Sequence, residues 1–175
     1  MSTPTTTRLR PGTWTVRTGW TSAAFTVRKL GFHLVHGTIP VRAATVHVNS
    51  AGTPATVRAE LDLTAIRTGI TRRDRDLQSA TWLGCSANRL MTFTAADIRT
   101  TPDGWEAHGL VALRGTSCPL TLTVTRPGAP TRASVRVQAH ATLDRAPLGM
   151  RAPRAVVGRY VEITIDAVLV APPAG

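Results

Sequence analysis

The sequence lacks the features that mark several protein classes. No apolar run approaches the roughly 18 consecutive residues that a transmembrane helix needs. The basic N-terminal stretch lacks the apolar core of a secretory signal. The only two cysteines, Cys85 and Cys118, have no zinc-binding spacing, and a disulfide is disfavoured in the cytoplasm. We therefore expect a cytoplasmic protein, with Cys118 as a small buried side chain.

Acidic residues are also few, 10 against 21 lysines and arginines, so that the net charge is +11. Such a charge attracts anions, among them nucleic acid, phosphates and anionic lipid head groups. The arginines, however, are scattered through nearly every segment, and aromatic residues, which stack on bases, make up only 5% of the chain. Nucleic acid is therefore disfavoured, whereas transient contact with an anionic membrane surface stays open.

Catalytic and metal-binding motifs are missing as well. There is no nucleophile-elbow motif, no glycine-rich phosphate loop and no zinc-type His-Glu motif. His33 and His36 have a spacing that suits a metal on a helix, but their segment resembles a turn entering a strand, without a carboxylate or cysteine nearby. We expect no catalytic residue, no metal and no cofactor.

What the sequence does contain is alternation of apolar and polar residues with a period of two, which is typical of half-buried β-strands. Hydrophobic residues make up 42% of the chain, and 175 residues suit one domain. Turn signals such as Pro102-Asp103-Gly104, where glycine is expected to take a positive φ, separate the runs. The alternating segments are residues 14–16, 23–27, 57–63, 91–95, 105–113, 120–124, 135–143 and 161–167.

About eight antiparallel strands leave two architectures open, a closed barrel and a sandwich. Several residues on the apolar side of the strands are small. In a barrel of about eight strands, small inward residues leave room for a ligand, but they equally suit a tightly packed sandwich core. The small inward candidates are Ala23, Ala59, Ala95, Ala107, Gly109, Ala139 and Ala141.

A charged segment, ITRRDRDLQSATWL over residues 70–83, interrupts the strand pattern. Thr71 precedes Asp74 by three residues, which resembles a capping box and predicts a short helix around residues 72–80 with Leu77 as its apolar anchor. One interpretation is a solvated, salt-bridged turn. The other pairs Arg73 with Asp74 beside a cavity, where the guanidinium is available to a polar head group.

Five segments, taken together and in order, resemble the YceI-like proteins, which are lipocalin-like barrels that bind polyisoprenoids and related lipids. The likeness extends from about Gly12 to Val170. The segments are FTVRKLGFHLVHGTI, LTAIRTGITRRDRDLQSATWL, LVALRGTSCPLTLTV, LDRAPLGM and VGRYVEITIDAVLV.

The resemblance implies an all-β fold, an eight-stranded antiparallel lipocalin-like barrel with a short helical insertion around residues 72–80. The barrel domain would span residues 12–170, between a flexible lead-in of residues 1–11 and a tail of residues 171–175. The resemblance also implies an apolar cavity that holds an isoprenoid or fatty-acyl chain.

The chain departs from the family where histidines are common, because Lys29 and Asp76 stand at two such positions. If the two face one another near the cavity, they form an ion pair that replaces two histidines and makes binding less sensitive to pH near neutrality. Alternatively, one or both point into solvent.

We therefore predict stoichiometric, non-catalytic binding of an amphiphilic lipid for carriage, storage or sequestration. Arg73 is the candidate anchor for a phosphate or carboxylate. The alternatives are a structural or interaction protein whose barrel is filled by side chains and, less favoured, an enzyme acting on a bound lipid; a homodimer stays open. The predicted ligand-binding residues are Phe25, Val27, Lys29, Phe32, Arg73, Asp76, Leu77, Trp82, Phe93, Val111 and Leu113.

Overall fold

The structure, a computed structural model, describes residues 8–126, 130–150 and 157–174. These residues form ten strand segments and one α-helix, α1. The elements are β1 (Gly12–Val16), β2 (Ser22–Lys29), β3 (His33–Ile39), β4 (Val41–Val48), β5 (Pro54–Asp62), α1 (Thr71–Gln78), β6 (Leu90–Thr101), β7 (Gly104–Leu113), β8 (Thr116–Thr125), β9 (Ser134–Asp144) and β10 (Val157–Val170).

The ten segments make an eight-stranded ring because two of the eight strands are interrupted. A 3-10 turn at Thr18–Trp20 separates β1 from β2, and Pro40 separates β3 from β4. The ring runs from β1/β2 through β3/β4 and then β5 to β10 in order, and every pairing is antiparallel. β10 closes it by pairing with both β2 and β1. The predicted eight-stranded antiparallel barrel is confirmed.

One seam of the barrel is only partly hydrogen-bonded. β8 and β9 pair over three positions, from Thr123 opposite His140 to Thr125 opposite Gln138. Towards the start of β8, where Pro119 has no N–H to donate, the two strands diverge and an outer groove of about 410 Å³ lies between them. Hydrogen bonds between β8 and β9 therefore complete the ring only at the end of β8, from Thr123 to Thr125.

Apolar packing closes the end of the barrel where β1 begins. Trp14, Val48, Trp105 and Val135 are buried together there. Leu9, which we placed in the flexible lead-in, belongs to the same cluster, and its N–H donates to the carbonyl of Gly52 at 3.0 Å. Residues 1–7 of that lead-in lie outside the described residues.

The β6–β7 turn forms where predicted, but its glycine serves another purpose. Pro102 and Asp103 make the turn, and Gly104 is already paired in β7 without a positive φ. A Cβ at Gly104 would lie 2.1 Å from the carbonyl oxygen of Val124 on β8. Close approach of two strands, and not a left-handed backbone, requires glycine here.

Candidate functional site

Two internal chambers follow one another along the barrel. Chamber 1, about 110 Å³, lies at the end covered by α1, since Leu77 of the helix lines it together with residues of β2, β9 and β10. Chamber 2, about 150 Å³, lies deeper, and Trp105 of the apolar end cluster lines it. The small residues Ala59, Ala107 and Ala139 line chamber 2, so the interior is hollow at the depth where the sequence places small side chains.

The two chambers share part of their walls. Leu61, Met91 and Ile163 line both, so these three side chains form the partition between them. No polar atom is exposed on the wall of either chamber. Cavities lined by apolar side chains stay dry, because water there lacks hydrogen-bond partners. The interior therefore suits hydrocarbon and offers nothing to a polar molecule.

Most of the predicted apolar site residues line these chambers. Phe25, Val27, Leu77 and Trp82 line chamber 1, and Phe93 and Val111 line chamber 2. Two do not. The side chain of Phe32 is 71% exposed at the β2–β3 turn, whereas Leu113 is buried in the core outside both chamber walls.

The helix beside chamber 1 begins differently from the prediction. α1 spans Thr71–Gln78, its N-cap is Ile70, and no side chain caps it, so the predicted capping box is wrong. Asp74 instead reaches back along the chain. Its buried carboxylate accepts hydrogen bonds from the N–H of Thr68 at 2.8 Å and from the Thr68 hydroxyl at 2.5 Å. This contact ties the start of the helix to the preceding loop.

Arg73 also binds Thr68, through two hydrogen bonds. Its Nε donates to the Thr68 hydroxyl oxygen and its Nη2 to the Thr68 carbonyl, both at 2.8 Å. Among the described ion pairs none joins Arg73 to Asp74. The two side chains therefore meet through Thr68 and not through a direct salt bridge. Arg73 is half-buried beside the barrel but lies outside the walls of both chambers.

Of the two alternatives for Lys29 and Asp76, the ion pair is wrong, and the structure agrees with side chains that point into solvent. Both side chains are exposed, and neither takes part in an ion pair within residues 8–126, 130–150 and 157–174. Lys29 ends β2, whereas Asp76 lies on the solvent side of α1. A contact of either residue with a ligand stays a prediction.

Sequence reasoning missed one buried charged residue of chamber 1, Arg145. It lies in the LDRAPLGM segment, is 3% exposed and lines the chamber. Its Nε donates to the carbonyl of Gly158 at 2.7 Å and its Nη2 to that of Val157 at 2.6 Å. The guanidinium thus holds the start of β10 against the end of β9. A lone arginine followed by a Pro- and Gly-containing turn was the signal available in the sequence.

Metal and thiol chemistry find little support in the described part of the chain. No group of three His, Cys, Asp or Glu residues there is placed to hold a metal ion. His33 and His36 lie three residues apart on β3, hence on opposite faces of the strand. Cys85 and Cys118 are free and buried, and burial raises the pKa of both thiols. A raised pKa lowers the thiolate fraction and makes a thiol inert.

None of the helices in the described ranges is long and apolar enough to cross a membrane. A search among curated proteins finds no match to this chain.

Solved structures share the fold at low sequence identity. BcnA from Burkholderia cenocepacia aligns with a TM-score of 0.75 at 15% identity, over 87% of this chain and 98% of its own. A polyisoprenoid-binding domain from Saccharophagus degradans, implicated in plant cell wall breakdown, aligns with a TM-score of 0.66 at 15% identity, over 91% and 98%. The YceI protein of Campylobacter jejuni gives 0.71 at 14%, over 79% and 86%.

The family model of the YceI-like domain matches residues 14–169, which is nearly all of the barrel. The chain therefore belongs to the YceI-like family.

Proposed function

We propose that the protein binds one amphiphilic long-chain lipid, of the polyisoprenoid or fatty-acyl type, along chambers 1 and 2, without a covalent step. The observation that carries the proposal is the apolar wall that continues from one chamber into the next through Leu61, Met91 and Ile163. Each methylene moved from water into such a space contributes about 0.8 kcal/mol. The polyisoprenoid-binding domain from Saccharophagus degradans, which has the same fold, supports this ligand class.

The chambers are small. Their volumes of about 110 and 150 Å³ lie below the roughly 300–1,000 Å³ of common ligand pockets. A chain of ten or more carbons therefore has to displace the partition between them. Met91 suits this role, because an unbranched thioether side chain has several rotatable bonds and adapts to irregular space. The branched side chains of Leu61 and Ile163 have fewer alternatives.

A polar head group would lie outside the apolar chambers, because burying a charge without a partner is costly. Arg73 is the best-placed anchor beside chamber 1. Its Nη1 makes no hydrogen bond within the described residues, while Nε and Nη2 are held by Thr68. Arg145 lines the chamber, but its Nε and Nη2 are already committed to backbone carbonyls. We therefore assign the head-group contact to Arg73 and a structural role to Arg145.

Native mass spectrometry after gentle extraction tests the proposal. We expect one lipid per protein, recovered chemically unchanged, and reloading of delipidated protein with a polyprenyl phosphate or a long-chain fatty acid. A short-chain phosphate with the same head group is the control, and we expect no binding of it. Protein that neither carries nor takes up any long-chain lipid would support the alternative of a filled structural barrel. Conversion of the lipid during incubation would support an enzyme.

A further inference from the structure

The β2–β3 hairpin ends in a surface that is unusually apolar for its exposure. We define the hairpin tip as residues 28–34, with Leu30, Gly31 and Phe32 forming the turn. The side chains of Leu30, Phe32 and Leu34 are 49%, 71% and 52% exposed. None of the three belongs to a core cluster of the described residues. Three large apolar residues within five positions of the chain are thus exposed at the turn of this hairpin.

The backbone at this tip includes a leucine in the left-handed region. Two described residues other than glycine have a positive φ, Leu30 at 53° and Arg114 at 56°. The left-handed region costs an ordinary side chain roughly 1–2 kcal/mol. Arg114 has a compensating contact, since its Nη1 donates to the carbonyl of Trp82 at 3.0 Å. Leu30 directly precedes Gly31, which also has a positive φ, at the turn of the β2–β3 hairpin, and Arg114 precedes Gly115 in the same way at the β7–β8 turn. Residues with positive φ are usual in tight hairpin turns, so the turns account for both values. What distinguishes the β2–β3 turn is that its left-handed position holds an exposed apolar residue.

The charge around the tip is of one sign. Arg28 and Lys29 are exposed, and neither forms an ion pair within the part of the chain that the structure describes. The first carboxylate side chain in the whole sequence is Glu60, so β1 to β4 contain no acidic residue at all. This part of the barrel therefore attracts anionic surfaces and repels cationic ones.

The tip also belongs to the end of the barrel where chamber 1 lies. Phe25 and Val27 of β2 line that chamber, and Lys29 follows on the same face of the strand. Leu77 of α1 also lines the chamber, and the exposed charged residues of the same helix, Arg72, Arg75 and Asp76, add one net positive charge.

We propose that the hairpin tip docks on the surface of an anionic bilayer, with Leu30, Phe32 and Leu34 inserted among the head groups and Arg28 and Lys29 against lipid phosphates. The combination of apolar side chains with flanking basic residues is that of membrane-surface anchors. A protein partner fits less well, because a stable protein interface needs about 800 Å² from each side. A single hairpin turn offers a smaller area than that. Docking deepens the proposed lipid binding by bringing chamber 1 to a source of lipid, yet it is measured independently of any cargo.

Sedimentation with vesicles tests the docking. We expect the protein to bind vesicles made of equal parts phosphatidylcholine and phosphatidylglycerol, to bind pure phosphatidylcholine poorly, and to be released by salt. The variant L30N/F32S loses the apolar insertion, and we expect binding to the anionic vesicles at least about tenfold weaker. Arg28→Ala with Lys29→Ala is expected to weaken binding by about thirtyfold at low salt, from two lost charges near the surface.

The single variant Leu30→Asn separates docking from folding. Asparagine adopts the left-handed region more readily than leucine, so we expect a melting temperature higher by about 2 °C together with weaker vesicle binding. Weaker binding with unchanged or raised stability supports the proposal. Unchanged vesicle binding by L30N/F32S overturns it.

Two controls address the rest of the surface. Trp20→Ser removes an aromatic side chain that is 69% exposed outside the hairpin tip. A triple alanine variant of Arg8, Arg10 and Arg132 removes the basic groups around a separate pocket. Both controls are expected to keep vesicle binding within about twofold at matched salt. Loss of binding in either control, or a wild-type protein that binds no vesicle, overturns the proposal.

Two further measurements keep the outcomes distinct. Light scattering must show the same particle mass for wild type and L30N/F32S, because a change would assign the tip to contact between copies and overturn docking. Native mass spectrometry of L30N/F32S is expected to show the lipid load of the wild type. If the wild-type protein carries lipid but does not bind vesicles, the docking proposal is wrong and the proposed lipid binding is unaffected. If it binds vesicles through the tip but carries no lipid, the proposed lipid binding is wrong and docking is unaffected.

Discussion

Asp74 and Thr68 are joined twice, because one carboxylate oxygen of Asp74 accepts both the N–H and the hydroxyl of Thr68. Asp74 is buried, so its removal leaves the Thr68 N–H without a partner. We expect Asp74→Ala to lower the free energy of unfolding by about 1–3 kcal/mol. The midpoint of urea unfolding measures this, provided that the m-value is unchanged.

Asp76→Ala is the matched control, since this carboxylate is exposed two residues further along α1. Surface substitutions of this kind change stability by less than about 0.5 kcal/mol. An equal loss in both variants would mean that net charge, and not the contact with Thr68, accounts for the effect.

Chamber 2 provides a test of where the lipid chain ends. Ala44 lines this chamber directly opposite Ala59 on the next strand, whereas its neighbour Ala43 is exposed. We expect Ala44→Phe to fill the chamber and to shift the retained lipids towards shorter chains, as measured by mass spectrometry of extracted ligand. Ala43→Phe adds the same ring outside the barrel and should leave the chain-length distribution as in the wild type. An unchanged distribution in Ala44→Phe would place the lipid elsewhere.

Gly37 leaves the space in which the ring of Phe25 lies. The two residues are directly opposite in β3 and β2, and a Cβ on Gly37 would lie 2.3 Å from Cζ of Phe25. We expect Gly37→Ala to cost about 1–3 kcal/mol of stability through overpacking. Gly19→Ala, where a Cβ meets nothing within 4 Å, is the control.

The Phe25→Leu background shows whether this clash is the cause. We expect Gly37→Ala to cost less there, which a double-mutant cycle of chemical unfolding measures. Gly37→Ala should still lower the stability somewhat in the Phe25→Leu background, because the new Cβ also lies 2.9 Å from the carbonyl oxygen of Arg67. Equal costs in both backgrounds would show that Phe25 is not the neighbour that matters.

Two carboxylates should make stability depend on pH in acid. The hydrogen bond from the Thr64 hydroxyl lowers the pKa of Asp62, and the hydrogen bond from Arg136 lowers the pKa of Asp166, each from an ordinary value of 3.8. A lowered pKa in the folded state stabilises the fold above the ordinary pKa, and that contribution is lost as pH falls through the folded value. At pH values below about 4, we expect unfolding at a lower urea concentration than at neutral pH. We expect this decrease to be smaller in Asp62→Asn or Asp166→Asn.

Salt distinguishes the two contributions. The Arg136–Asp166 pair is exposed and should weaken in high salt. The hydrogen bond from Thr64 to Asp62 at 2.6 Å is not an ion pair, and its contribution should persist. A loss of both effects in high salt would contradict this assignment.

The strands could be predicted because alternation is a local property, whereas the closed barrel was predicted from the resemblance to the YceI-like proteins, since alternation alone left a sandwich equally open. Each strand shows one apolar face, and Phe93 and Val111, chosen from that pattern alone, do line chamber 2. The pattern does not distinguish residues that line a chamber from residues that lie on a turn or that pack elsewhere in the core. Phe32 lies on a turn and is exposed, and Leu113 is buried but packs away from both chambers.

The polar contacts around α1 could not be predicted, because they depend on which groups meet in three dimensions. The sequence spacing predicted a capping box between Thr71 and Asp74, whereas in the folded chain Asp74 accepts a hydrogen bond from Thr68. The substitutions at Lys29 and Asp76 suggested an ion pair, but the two side chains end on separate elements and face solvent. Two of the carbonyls that Arg145 binds, those of Val157 and Gly158, belong to residues more than ten positions away.

The amino-acid sequence by itself thus determined the strand pattern, the single helical interruption and the apolar inner face, since burial of alternate side chains depends only on the period of the chain. Tertiary structure alone decided that the interior consists of two dry chambers with a partition at Met91, and that Leu30 and Phe32 face outward. Volumes and exposures of this kind depend on how eight strands close around one axis, and local sequence carries no record of that closure.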